Sequence, residues 1–414
     1  MNSWPTVAIP PLGAGFHLPA MRVKATQGES LLAGDDEFKL YVCGITPYDA
    51  THLGHAATYL TYDLIHRYLL AQGRRVSFVE NITDIDDPLL ERAARDEVNW
   101  IELAQSQIDL FRSDMTALHI LPPKSFVPVT EVIELIVTCV ERLLDLGFAY
   151  KVGEDIYLDI SAFKSTLPMP EDEALLIFAE RGGDPALVGK RDPLDALLWR
   201  AHRPGEPSWQ APFGEGRPGW HIECTAIALR YLVGEDFLTR KSGSTISLQG
   251  GGSDLIFPHH FFSGVQAQAL TGEPFAKTYL HTGMMGLDGE KMSKSKGNLV
   301  FVSKLLQSGT DAMVIRHALM SSKYSADRMW SNEVLESSKA QVERLRLALA
   351  KERVSGVELL INQLIAALAN DLDTPNALTI LDRWSAAELT GELEGDDSPG
   401  VATRFLDALL GLAL

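Results

Sequence analysis

The chain has 414 residues, 46% hydrophobic and 22% charged, which is the composition of an ordinary globular protein with room for two or three domains. Its 37 basic against 55 acidic residues give a formal net charge of −18, which argues against a protein that holds a polynucleotide mainly through phosphates. Three scattered cysteines, Cys43, Cys139 and Cys224, form no disulfide framework and point to a reducing cytoplasm, and no apolar run approaches the roughly 20 residues of a membrane helix.

Residues 1–37 are rich in proline, glycine and small residues and read as an irregular arm or short strands. From 38 to 119 strands and helices alternate: a strand at 39–44, a helix at 54–72, a strand at 75–81, then helices at 87–96 and 100–119. This order predicts an α/β fold with a doubly wound, Rossmann-like parallel sheet, whose ligands sit beyond the carboxyl ends of the strands. Leu121-Pro-Pro-Lys breaks the rhythm. Residues 120–215 read as an inserted α+β subdomain, with a helix at 130–147 that Thr130 would cap and short strands at 148–151 and 156–159. The sheet pattern returns over 216–300, and a C-terminal helical bundle follows, with 341–414 as its own domain.

The chemistry begins at Tyr41-Val-Cys-Gly-Ile-Thr-Pro-Tyr-Asp-Ala-Thr-His52-Leu-Gly-His55. A strand that turns through glycine into a helix N-terminus is an anion site, because free N–H groups and the helix dipole converge there. Two imidazoles at that point suggest a nucleotide phosphate. A second stretch, Lys291-Met-Ser-Lys294-Ser-Lys296, follows the turn Gly286-Leu-Asp-Gly289 and offers lysines as point charges for phosphates.

Cys43, Cys224 and His259 make a third set, the last two at helix starts. Two thiolates and an imidazole fit zinc with an open fourth position. Their spacing is too wide for a finger or ribbon, and buried structural cysteines are the rival account. Cys139, beside Val137 and Val140 on an apolar helix face, reads as core.

Taken together, His52-Leu-Gly-His55 and Lys291-Met-Ser-Lys-Ser295 resemble the two signatures of class I aminoacyl-tRNA synthetases. The wider match is to cysteinyl-tRNA synthetases, through Tyr41-Val-Cys-Gly-Ile-Thr, Asn81-Ile-Thr-Asp-Ile-Asp-Asp, Arg217-Pro-Gly-Trp-His-Ile-Glu-Cys224 and Gly250-Gly-Gly-Ser-Asp-Leu. The resemblance implies one Zn²⁺ per chain on Cys43, Cys224 and His259, Mg²⁺ with ATP, and His52, His55, Lys291 and Lys294 as catalytic residues. It also implies that Cys43, Gly44, Ile45, Thr46, Thr58, Asn81, Ile82, Thr83, Trp220, Gly252, Ser253, Asp254 and Met285 hold a cysteinyl-adenylate. Residues 301–340 would be a segment like the synthetase stem contact.

Three departures move the reading away from a synthetase. The synthetase's fourth zinc ligand, a glutamate four residues after the histidine, is replaced by Ser263. Residues 341–414 hold 6 Lys/Arg against 12 Asp/Glu, a net of −6 that suits tRNA poorly. The loop Thr46–Tyr59 and Glu180-Arg-Gly-Gly-Asp-Pro185 are similar instead to the mycothiol-ligase family, derived from the synthetase. That family joins L-cysteine to the amine of glucosaminyl-inositol, forming an amide. The expectation is therefore an ATP-dependent, AMP-forming cysteine–aminosugar ligase, a monomer with partners ATP, L-cysteine and glucosaminyl-inositol, and no tRNA or membrane. The rivals are a cysteinyl-tRNA synthetase and a non-catalytic paralogue that only binds nucleotide.

Several residues carry a plainer alternative. Trp220 is a wall of the cysteine pocket or a core aromatic, and Ser253 and Asp254 touch the adenylate or cap a helix. Asp84, Asp86 and Asp87 look like a metal cluster but read as an acidic helix start. His260 and His281 read as packing residues. The base for the acceptor amine would be Asp254 or a nearby histidine.

Overall fold

The computed structural model describes residues 1–13, 15–34, 36–292, 297–391 and 395–414. The N-terminal arm carries a hairpin of β1 (Met21–Ala25) and β2 (Gly28–Leu32). Then come β3 (Glu37–Ile45), α1 (Leu53–Ala71), β4 (Arg75–Ile82), α2 (Asp87–Arg95), α3 (Trp100–Ala117) and β5 (Ser125–Pro128). Next are α4 (Ile133–Asp145), β6 (Ala149–Val152), β7 (Asp155–Leu158), α5 (Glu171–Glu180), β8 (Leu197–Ala201) and β9 (Gly216–Pro218). After them come α6 (Trp220–Ala228), β10 (Ile246–Gly252), α7 (Phe261–Thr271), β11 (Ala276–Thr282), β12 (Met285–Leu287) and β13 (Glu290–Lys291). The rest is α8 (Val302–Gln307), α9 (Ala312–Leu319), β14 (Arg328–Trp330), α10 (Asn332–Leu349), α11 (Val357–Ala369), α12 (Thr374–Thr390) and α13 (Pro399–Leu410).

The central sheet is parallel throughout, in the order β11-β10-β3-β4-β5. Chain order reverses between β3 and β10, which is where a doubly wound sheet opens a crevice beyond its strand ends. The insertion forms a separate antiparallel sheet, β6-β7-β8-β9. Two apolar layers flank the main sheet. One joins α1, α3 and the C-terminal helices around Leu60, Ile65, Phe111, Ile315 and Leu406. The other runs from Tyr41 and Val79 through α4, α6 and α7 into the insertion at Ile156, Leu158 and Trp199.

Local rules explain the elements nearest the strand ends. His52 caps α1 by accepting the Gly54 amide on Nδ1 at 3.1 Å. The helix is then buried nearly all round, from Leu53 to Leu69, because sheet and C-terminal helices cover opposite sides. Gly250 lets β10 approach α1, since a Cβ there would stand 2.3 Å from the Tyr62 ring. The Tyr62 hydroxyl accepts from the Gly251 amide and donates to the Leu280 carbonyl, both at 2.6 Å.

Some expectations shift. Residues 125–128, expected in the insertion, belong to the sheet, because β5 pairs with β4 from Ser125 to Pro128. The helix expected from Thr130 starts at Ile133, and Thr130 instead bonds the Asp84 carboxylate through its amide (3.0 Å) and hydroxyl (2.5 Å). The arm is tied down as well as folded. Trp4 packs edge-on to Phe111 and Phe126 and donates to the Ile120 carbonyl at 2.8 Å, and Arg22 bridges to Asn370.

The pairing of β3 with β4 slips at the residues that matter most. Val42 faces Glu80 and Ile45 faces Ile82, so Cys43 and Gly44 stand opposite the single residue Asn81. Such a bulge re-aims a side chain at a strand end. Gly44 is held there by its amide to Asn81 Oδ1 at 2.9 Å, and a Cβ on it would lie 1.7 Å from the Asn81 carbonyl oxygen. Gly44→Ala should therefore cost about 1–3 kcal/mol, the usual range for overpacking a closed site. Urea unfolding measures this, and an unchanged midpoint would contradict the geometry.

Candidate functional site

The strand ends bring the three metal-type ligands together. Cys43 lies two residues before the end of β3, Cys224 lies inside α6, and His259 sits in the turn Ile256–His260 before α7. All three are buried, and their ligand atoms lie within 4.8 Å of one another. Cys139 is buried in α4, outside this set.

The donors are prepared for a cation. His259 Nδ1 is paired with His221 Nδ1 at 2.9 Å, while the buried His259 Nε2 has no hydrogen-bond partner among the described residues. A ring nitrogen engaged on one side and free on the other is how a ligating imidazole is oriented. Trp220, half-buried, stacks on the His259 ring with centroids 4.2 Å apart. Ser263 turns its hydroxyl back to the His259 carbonyl at 2.9 Å. The set thus has two sulfurs and one nitrogen, which fits a soft divalent metal ion with a position to spare.

The two thiols differ. Burial pushes the Cys43 thiol up, and Cys224 beside it adds to that. Burial opposes the Cys224 thiolate too, but the Cys43 hydrogen bond and the His259 charge outweigh it and hold that thiol well below its ordinary range. Around them, burial raises the carboxyls of Glu80 and Glu223 and pushes Asp86 up to about 6. Neither glutamate has a hydrogen-bond partner among the described residues, so nothing there offsets the cost of burying its charge.

His52 and His55 stack with ring centroids 3.8 Å apart at the start of α1. Burial lowers both imidazoles, and the charge of His52 lowers His55 further. Neutral at pH 7, they offer ring N–H groups rather than positive charge. Lys294 lies outside the described residues, as do Ser295 and Lys296, and Lys291 is placed as a backbone position of β13 paired with Gly286. The segment that follows returns to the histidines. His52 forms an antiparallel bridge with Phe301, the Leu53 amide donates to Val300 at 2.9 Å, and the Val302 amide donates to Thr51 at 3.1 Å. The first signature is therefore laced to residues 300–302, a few positions beyond the second.

The adenylate residues divide. Thr58, in the second turn of α1, shares its hydroxyl with Thr282 at 2.8 Å, and Thr46 is half-buried just past β3. Asn81 is spent on the strand end: Oδ1 accepts from Tyr41 (3.0 Å) and Gly44, and Nδ2 donates to Thr83 (3.0 Å). Ile82 is core at the end of β4, Gly44 belongs to the bulge, Ile45 follows it paired with Ile82, and Met285 is buried close to Gly54. Gly252 ends β10 and Ser253 and Asp254 open the turn after it, with Asp254 exposed and no side-chain cap on that turn among the described residues. Asp84, Asp86 and Asp87 serve structure: Asp84 binds Thr130, Asp86 caps α2, and Asp87 pairs with Arg200 and Arg217.

Sequence reasoning passed over the histidines around the set. His221, three residues before Cys224, orients His259, and His260 reaches Cys43 Sγ at 3.1 Å. The doublet His259-His260 was the available signal, and His260 and His281 are hydrogen-bonded members of the site rather than packing alone.

Comparison with known proteins agrees with this geometry. Residues 31–340 match the family of tRNA synthetases class I (C) catalytic domains. An L-cysteine:1D-myo-inositol 2-amino-2-deoxy-alpha-D-glucopyranoside ligase of Streptomyces griseus is 49% identical over 420 residues, covering 100% of both chains. The protein of the same name from Mycolicibacterium smegmatis is 48% identical, again over 100% of both. Among solved structures, Mycobacterium tuberculosis methionyl-tRNA synthetase in complex with methionyl-adenylate superposes with a TM-score of 0.63 at 18% identity, covering 91% of this chain and 88% of that one. At that identity the likeness speaks for the fold.

Proposed function

The chain belongs to the class I (C) synthetase family and, within it, to the L-cysteine:aminosugar ligases, and on that premise we propose that it activates L-cysteine with ATP and passes it to the amine of glucosaminyl-inositol. In the first step the cysteine carboxylate attacks the α-phosphorus of ATP, giving cysteinyl-adenylate and pyrophosphate. In the second the sugar amine attacks the activated carbonyl, an amide forms and AMP leaves.

The observation that carries this reading is the convergence of Cys43, Cys224 and His259 beyond the sheet that also presents the His52–His55 helix start. Cys43, Cys224 and His259 would hold zinc. Bound there, zinc supplies a soft Lewis acid that takes a thiolate in preference to a hydroxyl. The amino acid would thereby be chosen by its sulfur, beside Cys43 near the end of β3. His52 and His55, being neutral, would donate hydrogen bonds to the phosphates from the N-terminus of α1. Positive charge for the leaving pyrophosphate then comes from Lys291 and Lys294, with Mg²⁺ accompanying ATP. Their work is positioning and electrostatic stabilisation. Thr46, Thr58, Trp220 and Met285 would wall the cysteine, and Gly252, Ser253 and Asp254 the nucleotide.

The acceptor is decided by a product assay. Incubated with ATP, L-cysteine and glucosaminyl-inositol, the protein should release AMP and yield the cysteinyl amide. Acylation of tRNA with cysteine and no amide would overturn the proposal in favour of a cysteinyl-tRNA synthetase.

A further inference from the structure

Behind Cys43 runs a line of hydrogen-bonding groups that the reaction outlined above does not use. His260 Nε2 lies 3.1 Å from Cys43 Sγ, His260 Nδ1 lies 2.7 Å from His281 Nε2, and His281 Nδ1 lies 2.5 Å from the Thr26 hydroxyl. The two rings are 2% and 8% exposed, and the nitrogens they turn to each other, one donating and one accepting, share a single proton. Thr26 stands in the turn between β1 and β2, pinned by its own amide to the Tyr279 carbonyl at 2.9 Å. The line starts in the N-terminal arm and ends on a ligand sulfur.

A proton count gives the line a direction. A sulfur that ligates a metal carries no proton, so it can only accept. His260 must then carry its N–H on Nε2, which leaves Nδ1 as acceptor. His281 in turn must donate from Nε2 and accept at Nδ1. The Thr26 hydroxyl supplies that last donor. Without it, His281 is free to place its proton on Nδ1. His260 Nδ1 then loses its donor, and the bond to Cys43 loses its fixed sense.

We propose that Thr26, His281 and His260 are positioning residues of the metal set, in which the arm's hydroxyl fixes both ring tautomers so that His260 donates to the Cys43 sulfur. The proposal rests on the metal reading given above. Partners of ligating groups typically change metal affinity by about 10–100-fold when removed.

The test loads Co²⁺ into the chelator-treated full-length protein as wild type, Thr26→Val and Thr26→Ser. Cobalt affinity is read by chelator competition, the sulfur-to-cobalt charge-transfer band by absorbance, and folding by circular dichroism. Valine keeps the shape of threonine and leaves no room for a replacing water. Thr26→Val should bind cobalt about 10-fold more weakly with a shifted band, and Thr26→Ser should restore both. Should Thr26→Val fail to fold, His281→Phe should give the same weakening and shift. Affinity and band identical to wild type in the folded variant, or a serine variant as impaired as valine, would overturn the relay alone. A wild-type protein that takes up no cobalt would overturn the metal reading beneath it.

Discussion

Cys224→Ser should leave a folded protein that holds essentially no metal and has lost cysteine-dependent ATP–pyrophosphate exchange by roughly 10⁴-fold, the size by which a site built around one polar contact rejects a ligand unable to make it. The reason lies in how the charge of the set is arranged. Cys224 is the thiol held well below its ordinary range, while burial pushes Cys43 and the carboxyls of Glu80 and Glu223 up. Serine would put in place of one of the two sulfur donors a hydroxyl that keeps its proton and is a far poorer ligand for a soft metal. The swap is nearly isosteric, and Cys224 is 1% exposed inside α6, so the fold should survive. Metal content by atomic emission and pyrophosphate exchange would be measured on the same preparations. Equal metal in wild type and variant, or full exchange without metal, would remove the metal set from the reaction. The non-catalytic alternative would gain support if the wild type itself showed no exchange.

The features that could be read in advance were those confined to a few consecutive residues. His52 and His55 share one helix turn, and the strand–loop–helix around them declares itself by local pattern, as do the alternating strands and helices from 38 onward. The metal set could not be derived from spacing, because Cys43, Cys224 and His259 come from three separate elements that only the parallel sheet and its flanking helices bring together. Resemblance supplied that step. β5 went unseen because four residues ending in Pro128 look like a loop, and an edge strand tolerates proline where a central one would not. α5 was hidden for a different reason. It buries only Ala174 and Phe178, so its ten residues carry almost no apolar stripe. The arm's part in the site was the least accessible, since Thr26 gains meaning only from a ring 255 positions away.

Arg316→Met should be the most destabilising substitution remote from the ligands, costing about 3–5 kcal/mol, the range for breaking a buried ion pair from one side. Asp63, Arg67 and Arg316 have fully buried side chains. Asp63 accepts from Arg316, from Arg67 at 2.9 Å and from the Leu121 amide at 2.9 Å. Arg316 also donates to the Leu410 and Leu118 carbonyls, both at 2.7 Å. Methionine fills much of the volume but leaves those two carbonyls without their donor and Asp63 with one guanidinium. The node joins α1, α9 and the end of α13, so it anchors the helix whose first turn carries His52 and His55. Exchange activity should therefore fall at temperatures where the variant is still mostly folded, as α1 loosens from its C-terminal cover. The pH dependence has a definite sign. Burial alone would raise the Asp63 carboxyl, but Arg67 and Arg316 together hold it below the ordinary value. Its stabilisation is therefore present above about pH 4 and lost as pH falls through the lowered value. In Arg316→Met that lowering is weakened, so the gap in unfolding free energy between wild type and variant should be widest near neutrality and narrow below about pH 4. Urea titrations at neutral and acid pH measure both, and a gap that stayed constant or widened in acid would show that Asp63 does not owe its ionisation to Arg316.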